Sequence, residues 1–169
     1  METPWSLVRR DPGGEKTKSG MAALRKVICV DDNRILLQVL DWYLKSRGYA
    51  VLPCSNGSAA LNLLTEDRVD AVVVDYRMPD IDGGEVAAAI RSRTPEVPII
   101  MYSGMTDIPQ QTLRLVDCFV RKGQPDNFQV LGDFLDSWFS KSARRNSPTN
   151  SRDTTRHSVR QHRRSGAAT

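Results

Sequence analysis

Short apolar runs and helically spaced stretches alternate along the chain from residue 25 to about residue 140. Runs at 26–30, 50–54, 71–74, 97–102 and 118–120 are nearly unbroken in apolar residues, as strands are when helices cover both faces of a parallel sheet. After the first run, Leu36, Val39, Leu40, Tyr43 and Leu44 recur at i, i+3, i+4, i+7 and i+8, which predicts a helix stopped by Gly48. Asn56-Gly57-Ser58 opens a second helix with Ala60, Leu61 and Leu64 inward. Asp80 to Gly84 is a turn and the start of a third, continued by Val86 to Ile90. A short fourth helix begins near Pro109, where proline suits the first turn. A fifth begins near Pro125 and presents Phe128, Leu131, Leu135 and Trp138. Pro53 within the second run suits an edge strand. Five β-α units in so short a stretch predict a single three-layer α/β domain.

Composition sharpens the boundaries. Of the 169 residues 40% are hydrophobic, enough for one core, and no apolar stretch approaches the roughly 18 residues of a membrane span. Residues 1–24 are polar with no apolar periodicity, so they read as a disordered head without a secretory signal. Met21 stands just before the first strand and is an alternative to Met1 as the start. The net charge of +4 is unevenly spread: residues 25–140 carry 12 Lys/Arg against 16 Asp/Glu, whereas residues 141–169 carry eight Lys/Arg against Asp153 alone. The folded part is therefore acidic, and 141–169 reads as a basic disordered tail. Cys29, Cys54 and Cys118 all fall in predicted strands without metal-type spacing, as core thiols of a cytoplasmic protein do.

Candidate chemistry lies where the strands stop. The first run ends in Asp31-Asp32, the third in Asp75, the fourth in Ser103, and the fifth leads through Arg121 to Lys122. In an open α/β sheet these carboxyl ends share one edge, where ligands bind. Each residue alone has a plainer reading: Asp32 as a helix cap, Asp75 and Ser103-Gly104 as turns, Lys122 as a solvated charge. Together they make three mutually repelling carboxylates beside a hydroxyl and an ammonium. A hard divalent cation, Mg²⁺ above all, relieves that repulsion and suits phosphoryl transfer, with one carboxylate as nucleophile. An aspartyl-phosphate phosphatase would need an acid two residues after the nucleophile, where Arg77 stands. A dinucleotide enzyme is excluded because no G-x-G-x-x-G follows the first strand.

Val30-Asp-Asp-Asn33, Val74-Asp-Tyr-Arg-Met-Pro-Asp-Ile-Asp-Gly83 and Val120-Arg-Lys122 resemble the motifs of response regulator receiver domains over residues 25–140. The resemblance implies a doubly wound, flavodoxin-like sheet of five parallel strands in the order 2-1-3-4-5. It implies a phosphorylatable switch of a two-component phosphorelay rather than an enzyme. Asp75 is then the phosphoacceptor, fed by a sensor histidine kinase or phosphotransfer protein. Asp32, Asp75 and the Arg77 backbone carbonyl would ligate Mg²⁺ directly, and Asp31 through water. Lys122 would face the phosphoryl group, and Ser103 and Phe119 would be the switch pair. A downstream protein would read the face formed by the fourth helix, fifth strand and fifth helix. The alternative is a receiver-like module that docks partners without phosphorylation. Gly123 stands where the family more often has proline after the lysine, so a trans bond is expected there. No output domain is expected in the 29 residues after position 140, which suggests a stand-alone receiver. The tail, with Arg144-Arg145, Arg163-Arg164, His157 and His162, offers at most a weak contact to nucleic acid or an anionic membrane, since no aromatics interleave the arginines.

Overall fold

The structure is a computed structural model and describes residues 24–66 and 68–145. The elements alternate: β1 (Lys26–Val30), α1 (Arg34–Ser46), β2 (Ala50–Cys54), α2 (Gly57–Glu66), β3 (Ala71–Val74), α3 (Gly83–Arg93), β4 (Ile99–Ser103), α4 (Gln110–Leu113), β5 (Cys118–Arg121) and α5 (Asn127–Arg145). The strands form one parallel sheet in the order β2-β1-β3-β4-β5. β2, which contains Pro53, is an edge strand, as the missing proline N–H requires.

Successive strand side chains point to opposite faces and build two separate cores. Ile28, Val30, Val72, Val74, Ile99 and Met101 pack with Ala60 of α2 and Val86 and Ile90 of α3. Val27, Cys29, Val73, Ile100, Tyr102 and Val120 pack with Leu37, Leu40 and Leu44 of α1 and Leu131 and Leu135 of α5. β3 and β4 are buried along their whole length, so the unbroken apolar runs mark the middle of the sheet. Among the described residues no helix is long and apolar enough to cross a membrane.

Several details differ from the sequence expectation. Val39 is 39% exposed, and Leu37 takes the inward place beside Leu40 and Leu44. α1 is apolar around much of its girth, and its packing against the sheet and α5 decides which stripe is covered. β4 starts two residues later than expected because Pro98 has no N–H to donate; its carbonyl still accepts from Val72 N at 2.9 Å. β5 runs one residue further, to Arg121. α5 begins at Asn127 and continues to Arg145, past the expected boundary at 140. Phe139 secures this last part, with the Arg25 guanidinium 4.4 Å above its ring and Tyr49 at 5.9 Å between centroids. The rest of the head and tail, including Met21, His157, His162 and Arg163-Arg164, lies outside the described residues.

A carboxylate cluster at the carboxyl edge of the sheet

Register delivers the site. Val30 lies opposite Val74 and Val74 opposite Met101, so Asp31, Asp75 and the end of β4 emerge together. Backbone hydrogen bonds extend the ladders past the strands: Asp31 N donates to Cys54 O at 3.0 Å, Asp75 N to Val30 O at 2.9 Å and Lys122 N to Ser103 O at 2.9 Å. The candidate side chains therefore start from fixed backbone rather than from free loops.

Carboxylate oxygens of Asp31, Asp32 and Asp75 all lie within 4.8 Å of one another. Asp31 and Asp75 are buried, at 2% and 8% exposure, and Asp32 faces outward. Lys122 Nζ reaches between the two buried acids, 2.6 Å from Asp31 Oδ2 and 2.9 Å from Asp75 Oδ2. Burial pushes the Asp31 carboxyl above the ordinary aspartate range, and its hydrogen bond with Lys122 works against that rise. Asp31 Oδ1 also accepts from Asn33 N at 2.9 Å, and Asp75 Oδ1 from Tyr76 N at 2.7 Å. The cluster is thus held by hydrogen bonds yet keeps an excess of negative charge, with oxygen as its only donor type. That donor set fits a hard divalent cation and not a softer metal.

Asn33, not Asp32, caps α1: its Oδ1 accepts from Ile35 N at 3.0 Å and Leu36 N at 3.2 Å. The plainer reading of Asp32 as a cap is thereby set aside, and its carboxylate stays available at the mouth of the cluster. Ser103 is buried at 1% exposure at the end of β4, its Oγ accepting from Met105 N at 3.3 Å. Phe119 on β5 is 39% exposed. Arg77, in the loop after Asp75, is exposed. Among the described residues there is no cis peptide bond, so the Lys122–Gly123 bond is trans as expected.

Three supports were not foreseen. Asp80 accepts from Gly57 N at 3.2 Å and Ser58 N at 2.9 Å, which ties the β3–α3 loop to the start of α2. The hydrogen bond from the Ser58 backbone, with others, holds its carboxyl well below the usual range. The target of this carboxylate is remote in sequence, so no local pattern announces the contact. Tyr102, at 2% exposure, places its ring 5.6 Å from Lys122 Nζ. Gly83 packs against the phosphoacceptor candidate's own backbone: a Cβ there would sit 2.2 Å from the Asp75 carbonyl oxygen. Its N–H meanwhile donates to Tyr76 O at 2.8 Å. Any side chain at 83 would displace the loop that carries Asp75.

Comparison with known proteins finds relatives in sequence and in fold. The sequence model of the family described as "Response regulator receiver domain" matches residues 27–118, more than half of the chain. Response regulator MprA of Mycolicibacterium vanbaalenii is 34% identical over 90 residues, which are 53% of this chain and 39% of MprA. Transcriptional regulatory protein GlrR of Escherichia coli is 35% identical over 83 residues, 49% of this chain and 19% of GlrR. The chain thus spans two fifths or less of the length of these curated relatives. Among solved structures, response regulator protein TrrA of Thermotoga maritima, in complex with Mg(2+)-BeF, superposes with a TM-score of 0.64 at 27% identity, covering 68% of this chain and 99% of TrrA. Chemotaxis protein CheY4 of Vibrio cholerae gives 0.61 at 28% identity, covering 68% and 98%.

Proposed function

The chain belongs to the response regulator receiver domain family, and from that membership we propose that it is a phosphorylatable switch of a two-component phosphorelay, with Asp75 as phosphoacceptor. The observation that carries the reading is the bridge of Lys122 Nζ between Asp31 and Asp75, at 2.6 and 2.9 Å, on the same edge as the exposed Asp32. A structural ion pair has no need of a third carboxylate beside it. A phosphoryl-transfer site needs both the excess acid and the cation.

The carboxylates of Asp32 and Asp75 and the Arg77 backbone carbonyl would hold Mg²⁺, with Asp31 acting through water. When bound, that ion supplies neutralisation of the charge gathering on the transferred phosphoryl oxygens. The donor is a phosphohistidine of a sensor kinase or phosphotransfer protein, or a small amidophosphate or acyl phosphate. An Asp75 carboxylate oxygen attacks phosphorus, the bond from phosphorus to the donor nitrogen or oxygen breaks, and the electron pair leaves with the donor. Lys122 shifts from pairing two carboxylates to holding a phosphoryl oxygen as a point charge. Ser103 donates its hydroxyl hydrogen to another phosphoryl oxygen, and Phe119 leaves its exposed position to pack into the space Ser103 vacates. The surface of α4, β5 and α5 then changes its affinity for a downstream protein, by about 5–150-fold if the coupling has the usual size.

Incubation with a small phosphodonor and Mg²⁺, read by intact mass, is expected to add a single phosphoryl group, and chelation of divalent ions is expected to stop the addition. Uptake at an undiminished rate in excess chelator, or no uptake with Mg²⁺, would refute the reading.

A further inference from the structure

Resting on the receiver reading above, we propose that Gly123 is a positioning residue for Lys122: its left-handed backbone turns the chain so that the ammonium is delivered between Asp31 and Asp75. Gly123 has φ 81°, in the region that residues with a Cβ resist. A Cβ at this position would meet nothing within 4 Å, so no packing contact demands glycine here. The backbone angle is what favours glycine here.

That angle acts on one side of Lys122 while a hydrogen bond acts on the other. Lys122 N is pinned to Ser103 O at 2.9 Å, which fixes where the residue leaves β5. The turn at 122–123 then carries the chain away toward α5 and leaves the Lys122 side chain, 20% exposed, directed into the carboxylate cluster. Proline is fixed near φ −65° and cannot adopt the 81° found at this turn.

The test uses the full chain carrying Gly123→Val, the milder Gly123→Ala, Gly123→Asn, Lys122→Ala, and Lys122→Ala combined with Gly123→Val. Two quantities are read: the initial phosphorylation rate with a small donor and Mg²⁺, and the rate of Lys122 acetylation by an amine reagent, followed by peptide mass. The second needs no phosphorylation. Gly123→Val is expected to slow phosphorylation about tenfold and to speed Lys122 acetylation, with Gly123→Ala changing both in the same sense. Asparagine, which tolerates the left-handed region, is expected to retain most of both wild-type values. In the Lys122→Ala background Gly123→Val is expected to slow phosphorylation no further, because a positioning effect vanishes with the group positioned. Wild-type rates in both Gly123→Val and Gly123→Ala, or a Gly123→Val effect that persists without Lys122, would overturn the assignment. A wild-type chain that takes up no phosphoryl group would instead refute the receiver reading, and the acetylation rates would still decide how Lys122 is aimed.

Discussion

Asp75→Asn is expected to take up no phosphoryl group under conditions that phosphorylate the wild type, while its thermal midpoint is expected to stay at or above the wild-type value. The chemistry is lost because an amide oxygen is a far poorer nucleophile than a carboxylate and the phosphoacceptor bond cannot form. Folding is spared for local reasons. Asparagine keeps the oxygen that accepts from Tyr76 N, and Lys122 keeps its partner Asp31. One of three mutually repelling carboxylates has also been neutralised. Intact mass and a thermal melt on the same sample check both halves. Phosphorylation of this variant at the wild-type rate would move the phosphoacceptor elsewhere.

Lys122→Ala is expected to act in the opposite way, on stability as well as on chemistry. It leaves Asp31, at 2% exposure, and Asp75, at 8%, facing one another with no cation between them. Breaking a buried pair from one side costs about 3 kcal/mol, or about 10 °C in Tm for a domain of this size. The cluster also becomes more negative, so millimolar Mg²⁺ should raise the melting temperature of this variant more than that of the wild type. Thermal melts of both proteins with and without Mg²⁺ measure the two effects. Equal melting temperatures in the absence of metal would mean that the lysine bridge contributes nothing to the fold.

The positions of the strand ends were legible because one property, a polar residue closing an apolar run, recurs in register. Asp31, Asp75, Ser103 and Lys122 could be placed on one edge from that pattern alone, and β-α alternation made the strands parallel. What escaped depends on contacts between distant segments. The choice of Leu37 over Val39 is made by what α1 meets, not by periodicity within α1. The link from Asp80 to the start of α2 and the close approach of Gly83 to the Asp75 carbonyl exist only once the loops fold together. Arg91 is similar: it donates to the carbonyls of Leu115, Pro95 and Val97 and pairs with Asp117, whose carboxylate also accepts from Ile99 N at 2.8 Å. No local pattern around an arginine on α3 announces that it clamps the entry to β4. The full length of α5 is hidden by composition. From Lys141 onward the sequence turns polar and basic, while the anchor of the last turns, Phe139 against Arg25 and Tyr49, depends on other elements.

Three carboxylates share the edge of the sheet, and only Asp75 is expected to carry the phosphoryl group. Borohydride reduces an aspartyl phosphate to homoserine, so reduction of the phosphorylated wild-type chain followed by peptide sequencing reads the answer directly. Homoserine at position 75 and at no other aspartate is the expected result; homoserine at position 31 or 32 instead, or none at all in phosphorylated protein, would contradict it.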